Sequence, residues 1–264
     1  MATAASSLHA ANGNERFNNE AANWDNNPFV HEASRQALKA ILAKFPALKN
    51  PPGENGLDVL ELGCGTGLLS SIIAPYAKRV VAVDAAPGMI EVLKTKLQKP
   101  GAPQNILPLA VLLEDANDKR LPPADEFNPD GPRLKFDLII SHLVLHHIPD
   151  LRQVLNTMQD CLKHSGWVAL TDFEDAGPDS KSFHARSRME GVARHGIHVE
   201  TMEILMNEVG FVNVNVDRAW SMDKNVEKVD GEFGDAGRAA QAGQGQRKAR
   251  QLNMFENTTS GVRH

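Results

Sequence analysis

Three glycines at every second position follow a short apolar segment of the chain. Gly63, Gly65 and Gly67 come directly after residues 59–62, and a helical pattern begins at Leu68. A backbone without Cβ atoms can turn sharply and bring its N–H groups close to a ligand. A helix N-terminus behind the turn adds a partial positive charge. The spacing therefore predicts a ligand-binding loop between a strand and a helix.

Two cofactor classes use such a loop. Dinucleotide enzymes usually carry G-x-G-x-x-G, but here the third glycine comes one position early and Leu68 stands where that pattern needs glycine. With Glu61 in front, the segment resembles motif I of class I S-adenosylmethionine-dependent methyltransferases, E-x-G-x-G-x-G. The resemblance implies that the loop holds an amino acid and a ribose, and it makes a dehydrogenase the least favoured enzyme.

An acidic residue closes the next apolar segment, since Asp84 lies 17 positions after Gly67. In a nucleotide-binding α/β unit a carboxylate here reaches the ribose hydroxyls, and it can accept two hydrogen bonds from a vicinal diol. A helix N-cap is the alternative role, and the two are compatible. The residues that follow resemble the same family, which implies that Ala85 lines the cofactor site and that Met89 packs on adenine.

A third acidic position follows the next predicted strand. In the family this position accepts a hydrogen bond from the adenine amino group, and the following backbone N–H serves a ring nitrogen. The resemblance assigns these roles to Asp115, with Glu114 as second choice, and to Ala116. The alternative is a solvated acidic turn.

The segment 136–150 resembles the F-D-x-I-x-S-x-x-V-L-H-H-I-x-D stretch of small-molecule methyltransferases, including those of quinone biosynthesis. The resemblance implies that Ser141 and His142 lie over the methionine end of the cofactor. His146 and His147 could suggest a metal. However, neighbouring side chains on a helix diverge by about 100°, and no further ligand is spaced to complete a site. We therefore predict no metal and a structural role for this pair.

The acceptor of such an enzyme binds beyond the carboxyl ends of the strands. Resemblance to a subset of the family places His184 and His195 in the connection that covers this region. Histidine suits proton transfer near neutral pH if the acceptor is a phenol or other hydroxyl, so both are candidate catalytic residues. The alternative is that they hold the loop. Phe17 and Trp24 resemble the family's aromatic lid, and surface packing is their alternative role.

Alternating strand and helix patterns predict a Rossmann-like, doubly wound α/β fold with helices on both faces of the sheet. The family resemblance implies a mostly parallel sheet of seven strands with a C-terminal antiparallel strand. Predicted strands lie at 57–62, 79–84, 105–113, 136–141, 167–171, 211–216 and 252–263, and predicted helices at 29–45, 68–77, 87–98, 151–162 and 201–209.

The chain divides into three parts. Residues 1–15 are predicted to be disordered, residues 16–56 to form a helical lid, and residues 57–264 to form the methyltransferase domain. Within that domain the stretch of about 231–250 is rich in Gly, Ala, Gln and Arg, which predicts a flexible insertion.

Composition limits the partners. A length of 264 residues suffices for one substantial core, and a net charge of −5 argues against general binding of nucleic acid. No apolar run reaches membrane-spanning length. Of the two cysteines, Cys64 sits in the glycine loop, so a structural disulfide is disfavoured and a reducing compartment is indicated. A cytoplasmic location is predicted, with the nucleus left open.

The resemblance implies transfer of the methyl group of S-adenosylmethionine to a small-molecule acceptor by in-line displacement. Methylation of a protein or RNA is an alternative. It is disfavoured because segment 136–150 lacks an Asn/Asp-Pro-Pro-aromatic signature and no basic stripe with interleaved aromatics appears. A regulatory module that only binds S-adenosylmethionine is a third possibility. It is disfavoured because such a module has no need of Glu61, the three glycines and Asp84 together.

Overall fold

The computed structural model describes residues 4–49, 56–177, 180, 191–227 and 244–257. Six helices are present in these ranges: α1 (Ala4–Trp24), α2 (Pro28–Lys44), α3 (Leu68–Ile73), α4 (Pro87–Leu97), α5 (Leu151–Cys161) and α6 (Val199–Val209). Seven strands accompany them: β1 (Asp58–Leu62), β2 (Arg79–Asp84), β3 (Ile106–Ala110), β4 (Phe136–His142), β5 (Leu162–Phe173), β6 (Val212–Glu227) and β7 (Gln244–Asn257).

The strands form one sheet in the order β3-β2-β1-β4-β5-β7-β6. Strands β1 to β5 are parallel to their neighbours, whereas β7 runs antiparallel to both β5 and β6. The prediction of a Rossmann-like α/β fold built on a parallel sheet is confirmed. In such a sheet the carboxyl ends of β1 to β4 lie along one edge, where ligands bind.

Alternating side chains of the parallel strands supply two cores. Leu60 of β1 and Val81 of β2 face the core completed by α5 and α6. Val59 and Val80 face the core completed by α2, α3 and α4. Every residue of β1 is buried, as a strand covered by helices on both faces must be. The sheet is therefore a rigid support for the loops at its carboxyl edge.

The N-terminal segment differs from the prediction. We expected residues 1–15 to be disordered, but α1 begins at Ala4. Alanine has the highest intrinsic helix propensity, and the polar composition of this segment hid that preference. The helix then continues through the predicted lid to Trp24, and Asn27 caps α2 by accepting a hydrogen bond from the Phe29 N–H at 3.0 Å.

The C-terminal segment also differs from the prediction. Residues 244–250, expected to be flexible, form the first half of β7, while residues 231–243 lie outside the described ranges. The strand also ends at Asn257, earlier than the predicted 252–263. Backbone pairing with β6 extends from Val212 to Glu227, and backbone pairing does not require the apolar pattern by which strands are recognised in a sequence. No helix in the described part of the chain is long and apolar enough to cross a bilayer.

Candidate active site

The glycine loop leaves β1 through three left-handed residues. Gly63, Gly65 and Gly67 have φ angles of 74°, 54° and 77°. A Cβ on Gly63 would lie 2.4 Å from Val144 Cγ2, and one on Gly67 would lie 2.4 Å from Leu93 Cδ1. A Cβ on Gly65 would meet nothing within 4 Å. Packing therefore requires two of the glycines, while the third keeps space open beside the loop.

Asp84, at the end of β2, holds this loop in position. Its Oδ2 accepts a hydrogen bond from the Gly65 N–H, and its Oδ1 accepts one from the Ala86 N–H, each at 2.8 Å. Burial raises the pKa of the Asp84 carboxyl, and the two backbone donors oppose that rise. A carboxylate oxygen has two lone pairs, so both oxygens retain acceptor capacity toward a ligand.

Glu61 lies beneath the loop with only 2% of its surface exposed. The Ser70 hydroxyl donates a hydrogen bond to its Oε2. Burial is the main cause that raises the pKa of Glu61 to about 8; the bond from Ser70 opposes this shift, and the nearby charge of Asp84 adds to it. Glu61 is therefore mainly protonated at neutral pH.

A cavity of about 320 Å³ opens at the carboxyl edge of the sheet. It extends from the ends of β2 and β3 across the glycine loop to the end of β4, and α1 lies against it. Most of the predicted cofactor-binding residues line it: Trp24, Glu61, Gly63, Gly65, Asp84, Ala85, Met89, Glu114 and His142. Cys64, Thr66, Leu112 and His147 also line it and were not predicted to do so.

Four predicted cofactor-binding residues do not line the cavity. Gly67 packs against α4, as described above. The Ser141 hydroxyl donates to the Leu62 carbonyl at 2.8 Å and so joins β4 to β1. Asp115 Oδ1 accepts from the Asn117 N–H at 2.8 Å, which makes a local turn. Ala116 is part of the core. At the end of β3, the cavity is therefore bordered by Glu114 and not by the favoured Asp115.

Of the two candidate catalytic histidines, the structure describes only His195. His184 lies outside the described residues. His195 does not line the cavity, because its segment pairs with the chain beyond β5. The Ile197 N–H donates to the Phe173 carbonyl at 2.8 Å, and the Asp175 N–H donates to the Ile197 carbonyl at 2.9 Å. This pairing fixes the segment behind the end of β5.

His142 ends β4 and lines the cavity. Its Nδ1 lies 2.7 Å from the Thr171 hydroxyl on the neighbouring strand β5. Burial lowers the pKa of His142 to about 4, although the nearby Asp172 carboxylate opposes the shift. The ring is therefore neutral at physiological pH, and a hydrogen bond to the sheet fixes its orientation.

The next histidine pair lies in a 3-10 turn, Leu145–His147, and not in a regular helix. The two ring centroids are only 3.9 Å apart, so the expected divergence of the side chains is wrong. His146 Nδ1 lies 2.6 Å from Asp172 Oδ1, and His147 Nδ1 lies 2.8 Å from the Gly191 carbonyl oxygen. Within the described ranges, no group of three or more His, Cys, Asp or Glu side chains could hold a metal.

Helix α1 covers the cavity with two aromatic rings. The Phe17 ring lies edge-on to Trp24 with centroids 5.9 Å apart, and edge-on to His147 at 5.1 Å. Asn18 Oδ1 accepts a hydrogen bond from the Gly88 N–H at 2.7 Å, which joins α1 to the start of α4. The N-terminal segment is therefore attached to the α/β domain beside the cavity.

The cavity fits the adenosyl compound that the glycine loop implies. Gly65 leaves room for a ligand within 4 Å of the backbone, and Asp84 supplies a carboxylate beside that space. Met89, which is 2% exposed, and Leu112, which is 49% exposed, provide apolar surface on the side of β2 and β3. An amino acid, a ribose and an adenine each find a suitable surface along the cavity.

Comparison with known proteins agrees with this fit. The family model described as a methyltransferase domain matches residues 29–218. An uncharacterised methyltransferase of Schizosaccharomyces pombe is 30% identical over 145 residues, covering 54% of this chain and 47% of that protein. A ubiquinone biosynthesis O-methyltransferase of Cereibacter sphaeroides is 31% identical over 127 residues, which cover 48% of this chain and 45% of that protein. A malonyl-(acyl-carrier protein) O-methyltransferase of Acetivibrio thermocellus is 32% identical over 120 residues, which cover 44% of this chain and 36% of that protein. The chain thus spans less than half the length of these curated relatives.

Solved structures share the fold over a larger part of the chain. The DhpI structure with S-adenosylhomocysteine has a TM-score of 0.61 at 16% identity, covering 98% of this chain and 100% of that one. The N-methyltransferase NodS of Bradyrhizobium japonicum, also with S-adenosylhomocysteine, has a TM-score of 0.53 at 19% identity, covering 94% and 100%. Since the family model covers most of the chain, including strands β1 to β5 and the glycine loop, the chain belongs to the class I S-adenosylmethionine-dependent methyltransferases.

Proposed function

We propose that this protein transfers the methyl group of S-adenosylmethionine to a small-molecule acceptor. The observation that carries the proposal is the cover of the cavity. Phe17 and Trp24 of α1 line it, and α1 is bonded to α4 through Asn18 and Gly88. An acceptor that reaches the cavity beneath this helix must be small, or must be a narrow group carried on something larger.

Residues of this chain would hold the cofactor along the carboxyl edge. Gly65 and Asp84 would take the ribose and neighbouring atoms, and Met89 and Glu114 would border the adenine. When bound, the cofactor supplies a methyl group already activated by a positive sulfur. The tasks of the protein are therefore to align the acceptor and to exclude water, for which the enclosed apolar walls are suited.

The names of two relatives support an oxygen acceptor on a small group. One acts in ubiquinone biosynthesis as an O-methyltransferase, and one methylates an oxygen of a malonyl group carried by a protein. Methylation of a whole protein or RNA gains no support from these relatives. We also propose a cytoplasmic location, which the two free, buried cysteines Cys64 and Cys161 support.

A labelling experiment tests the proposal. The protein is incubated with S-adenosylmethionine carrying an isotopic methyl group and with a cell extract separated into small-molecule, protein and RNA fractions. We expect the label in the small-molecule fraction, and its loss with Asp84→Ala. Label in the protein or RNA fraction would overturn the small-molecule acceptor. Calorimetry without binding of S-adenosylmethionine would overturn the enzyme itself.

A further inference from the structure

We propose that His147 receives the proton of a hydroxyl acceptor during methyl transfer, so that the acceptor atom is oxygen. This inference rests on the proposed function and adds to it a proton acceptor and an acceptor class. His147 lines the cavity and lies five residues after the end of β4, on the opposite side of the glycine loop from the residues that would border the adenine.

The hydrogen bond to Gly191 fixes the tautomer of His147. Its Nδ1 lies 2.8 Å from the Gly191 carbonyl oxygen. A carbonyl oxygen only accepts hydrogen bonds, so Nδ1 carries the hydrogen and the lone pair of the neutral ring is on Nε2. Nε2 makes no hydrogen bond within the described part of the chain. The ring is therefore oriented on one side and able to accept a proton on the other.

The surroundings of His147 keep the ring neutral. Burial is the main reason why the pKa of His147 lies well below its usual value. The neighbouring His146 and Arg16 of α1 lower it further, whereas the Gly191 carbonyl and the Asp172 carboxylate oppose the shift. The base form is thus present throughout the physiological pH range. A weakly basic imidazole accepts a proton best from an acidic hydroxyl, which favours a phenol or an enol over an aliphatic alcohol.

Two neighbours make the ring suitable for this step. The Phe17 ring stands edge-on to it at 5.1 Å, which excludes water from one side. The Arg16 guanidinium lies 4.4 Å from the centroid of Phe17, and its positive charge favours the neutral form of the His147 ring, which is the form that accepts a proton.

Each bond that breaks during the proposed methyl transfer is matched by a bond that forms. The acceptor O–H bond breaks and its proton moves to Nε2 of His147. The acceptor oxygen forms a bond to the methyl carbon, while the carbon–sulfur bond breaks and leaves its electron pair on sulfur, which becomes a neutral thioether. His147 then returns the proton to solvent. No oxidant, reductant or metal takes part in this balance.

The first test is a nitrogen NMR spectrum of the wild-type protein with S-adenosylhomocysteine bound and 15N-labelled histidine, assigned with His147→Asn. We expect a protonated Nδ1 and an unprotonated Nε2 for His147 near pH 7. Addition of catechol, a phenol, should shift the Nε2 resonance. A protonated Nε2, or no shift at catechol concentrations that calorimetry shows to be bound, would overturn the proposal. If calorimetry shows no catechol binding, the protonation of Nδ1 and Nε2 alone decides whether the proposal stands.

The second test uses the acceptor recovered in the labelling experiment. Asparagine can donate its amide hydrogen to Gly191 but has no group at the place of Nε2, so His147→Asn keeps the anchor and removes the base. We expect kcat to fall about 10²–10⁴-fold, with less loss at high pH, where the acceptor ionises by itself. The Kd for S-adenosylmethionine should change less than twofold. His198→Asn, at a ring that is 57% exposed, is the control.

The outcomes separate this inference from the proposed function. A methyl group found on nitrogen, carbon or sulfur of a small molecule would overturn the role of His147 and leave the proposed function intact. A pH-independent loss, or a loss below tenfold, would assign His147 a structural role only. Label in the macromolecular fractions would overturn the proposed function instead.

Discussion

Asp25 and Thr66 join the N-terminal segment to the glycine loop. The Thr66 hydroxyl donates a hydrogen bond to Asp25 Oδ1 at 2.5 Å, while Lys96 of α4 lies 2.8 Å from Asp25 Oδ2. Thr66 is 1% exposed, so its bond is protected from water. The position of α1 over the cavity is therefore coupled to the conformation of the loop that would hold the cofactor.

Removing this bond should loosen α1. Thr66→Val keeps the shape of the side chain and removes the donor, which leaves Asp25 Oδ1 without that partner at a cost of about 0.5–1.5 kcal/mol. We expect faster hydrogen exchange in residues 14–24 and weaker S-adenosylmethionine binding by a similar free energy. Ser71→Ala is the control, because among the described residues the Ser71 hydroxyl bonds only the Gly67 carbonyl. Equal exchange in both variants would contradict the coupling.

Gly65 and Gly63 of the loop should respond differently to alanine. Gly65→Ala should cost about 1–2 kcal/mol of stability through its left-handed backbone and should weaken S-adenosylmethionine binding by about 1.5–3 kcal/mol, because the methyl group enters the cavity. Gly101→Ala is the matched control, since Gly101 also has a positive φ, of 80°, and nothing within 4 Å, but does not line the cavity. We expect it to lose stability alone.

Gly63→Ala should act mainly on the fold. Its Cβ would lie 2.4 Å from Val144, and such overpacking adds about 1–3 kcal/mol to the backbone cost. Chemical denaturation and calorimetry measure the two effects separately. A Gly65→Ala protein that binds the cofactor as well as Gly101→Ala does would show that the open space beside Gly65 is not used.

Glu61 should make stability depend on pH. The pKa of Glu61 is raised from 4.5 to about 8 by burial, so between these values the folded protein binds more protons than the unfolded chain. The contribution of Glu61 to stability is complete below pH 4.5 and is lost as pH rises toward 8, by about 1.4 kcal/mol per pH unit. Glu61→Gln cannot ionise. We expect its stability relative to wild type to increase with pH in urea titrations.

The control for this experiment is Glu91→Gln on α4, where the side chain is 68% exposed. Its pH dependence should match that of the wild type. A Glu61→Gln protein whose stability follows the wild-type curve from pH 5 to 8 would show that Glu61 is ionised in the folded state.

Arg194 should stabilise the turn that carries the histidine pair. Its guanidinium donates to the carbonyls of Leu145 and Ile148, at 2.8 and 2.5 Å, and to that of Pro149 at 2.8 Å. Arg194→Met would leave these acceptors without the donor, so we expect a loss of about 2–3 kcal/mol in urea unfolding. Arg152→Met is the control, because its 51% exposed side chain pairs with Glu208 at the surface and should cost less than about 1 kcal/mol. Equal losses would contradict the prediction.

Features that depend on a few consecutive residues were predictable from the sequence. The glycine loop, the carboxylate that ends β2 and the five parallel strands follow from spacing and apolar runs, because each depends on a few consecutive residues. Both Glu61 and Asp84 lie at the cavity as expected. The exact end of a strand is less well determined by such patterns. Strand β3 ends at Ala110 and not at residue 113, so the sequence could not decide which of Glu114 and Asp115 would border the cavity.

Contacts between distant segments were not predictable. Nothing near His147 in the sequence indicates that Gly191 will orient its ring, since 44 residues separate them. The histidine pair was assessed as if it lay on a regular helix, and the 3-10 turn changes the geometry. Ser141 was assigned to the ligand from the family resemblance, and its bond to the Leu62 carbonyl could not be foreseen because it forms only once β4 lies beside β1. In each case the partner is supplied by the sheet and not by neighbouring residues.

The attachment of α1 has a kinetic consequence. Asn18 bonds to Gly88, and Asp25 bonds to both Thr66 and Lys96, so three contacts hold the N-terminal segment against the cavity. We expect a spent cofactor to leave beneath this cover before a fresh one enters. These contacts must then open in every catalytic cycle, and the opening rate sets an upper limit on turnover however fast the chemical step is.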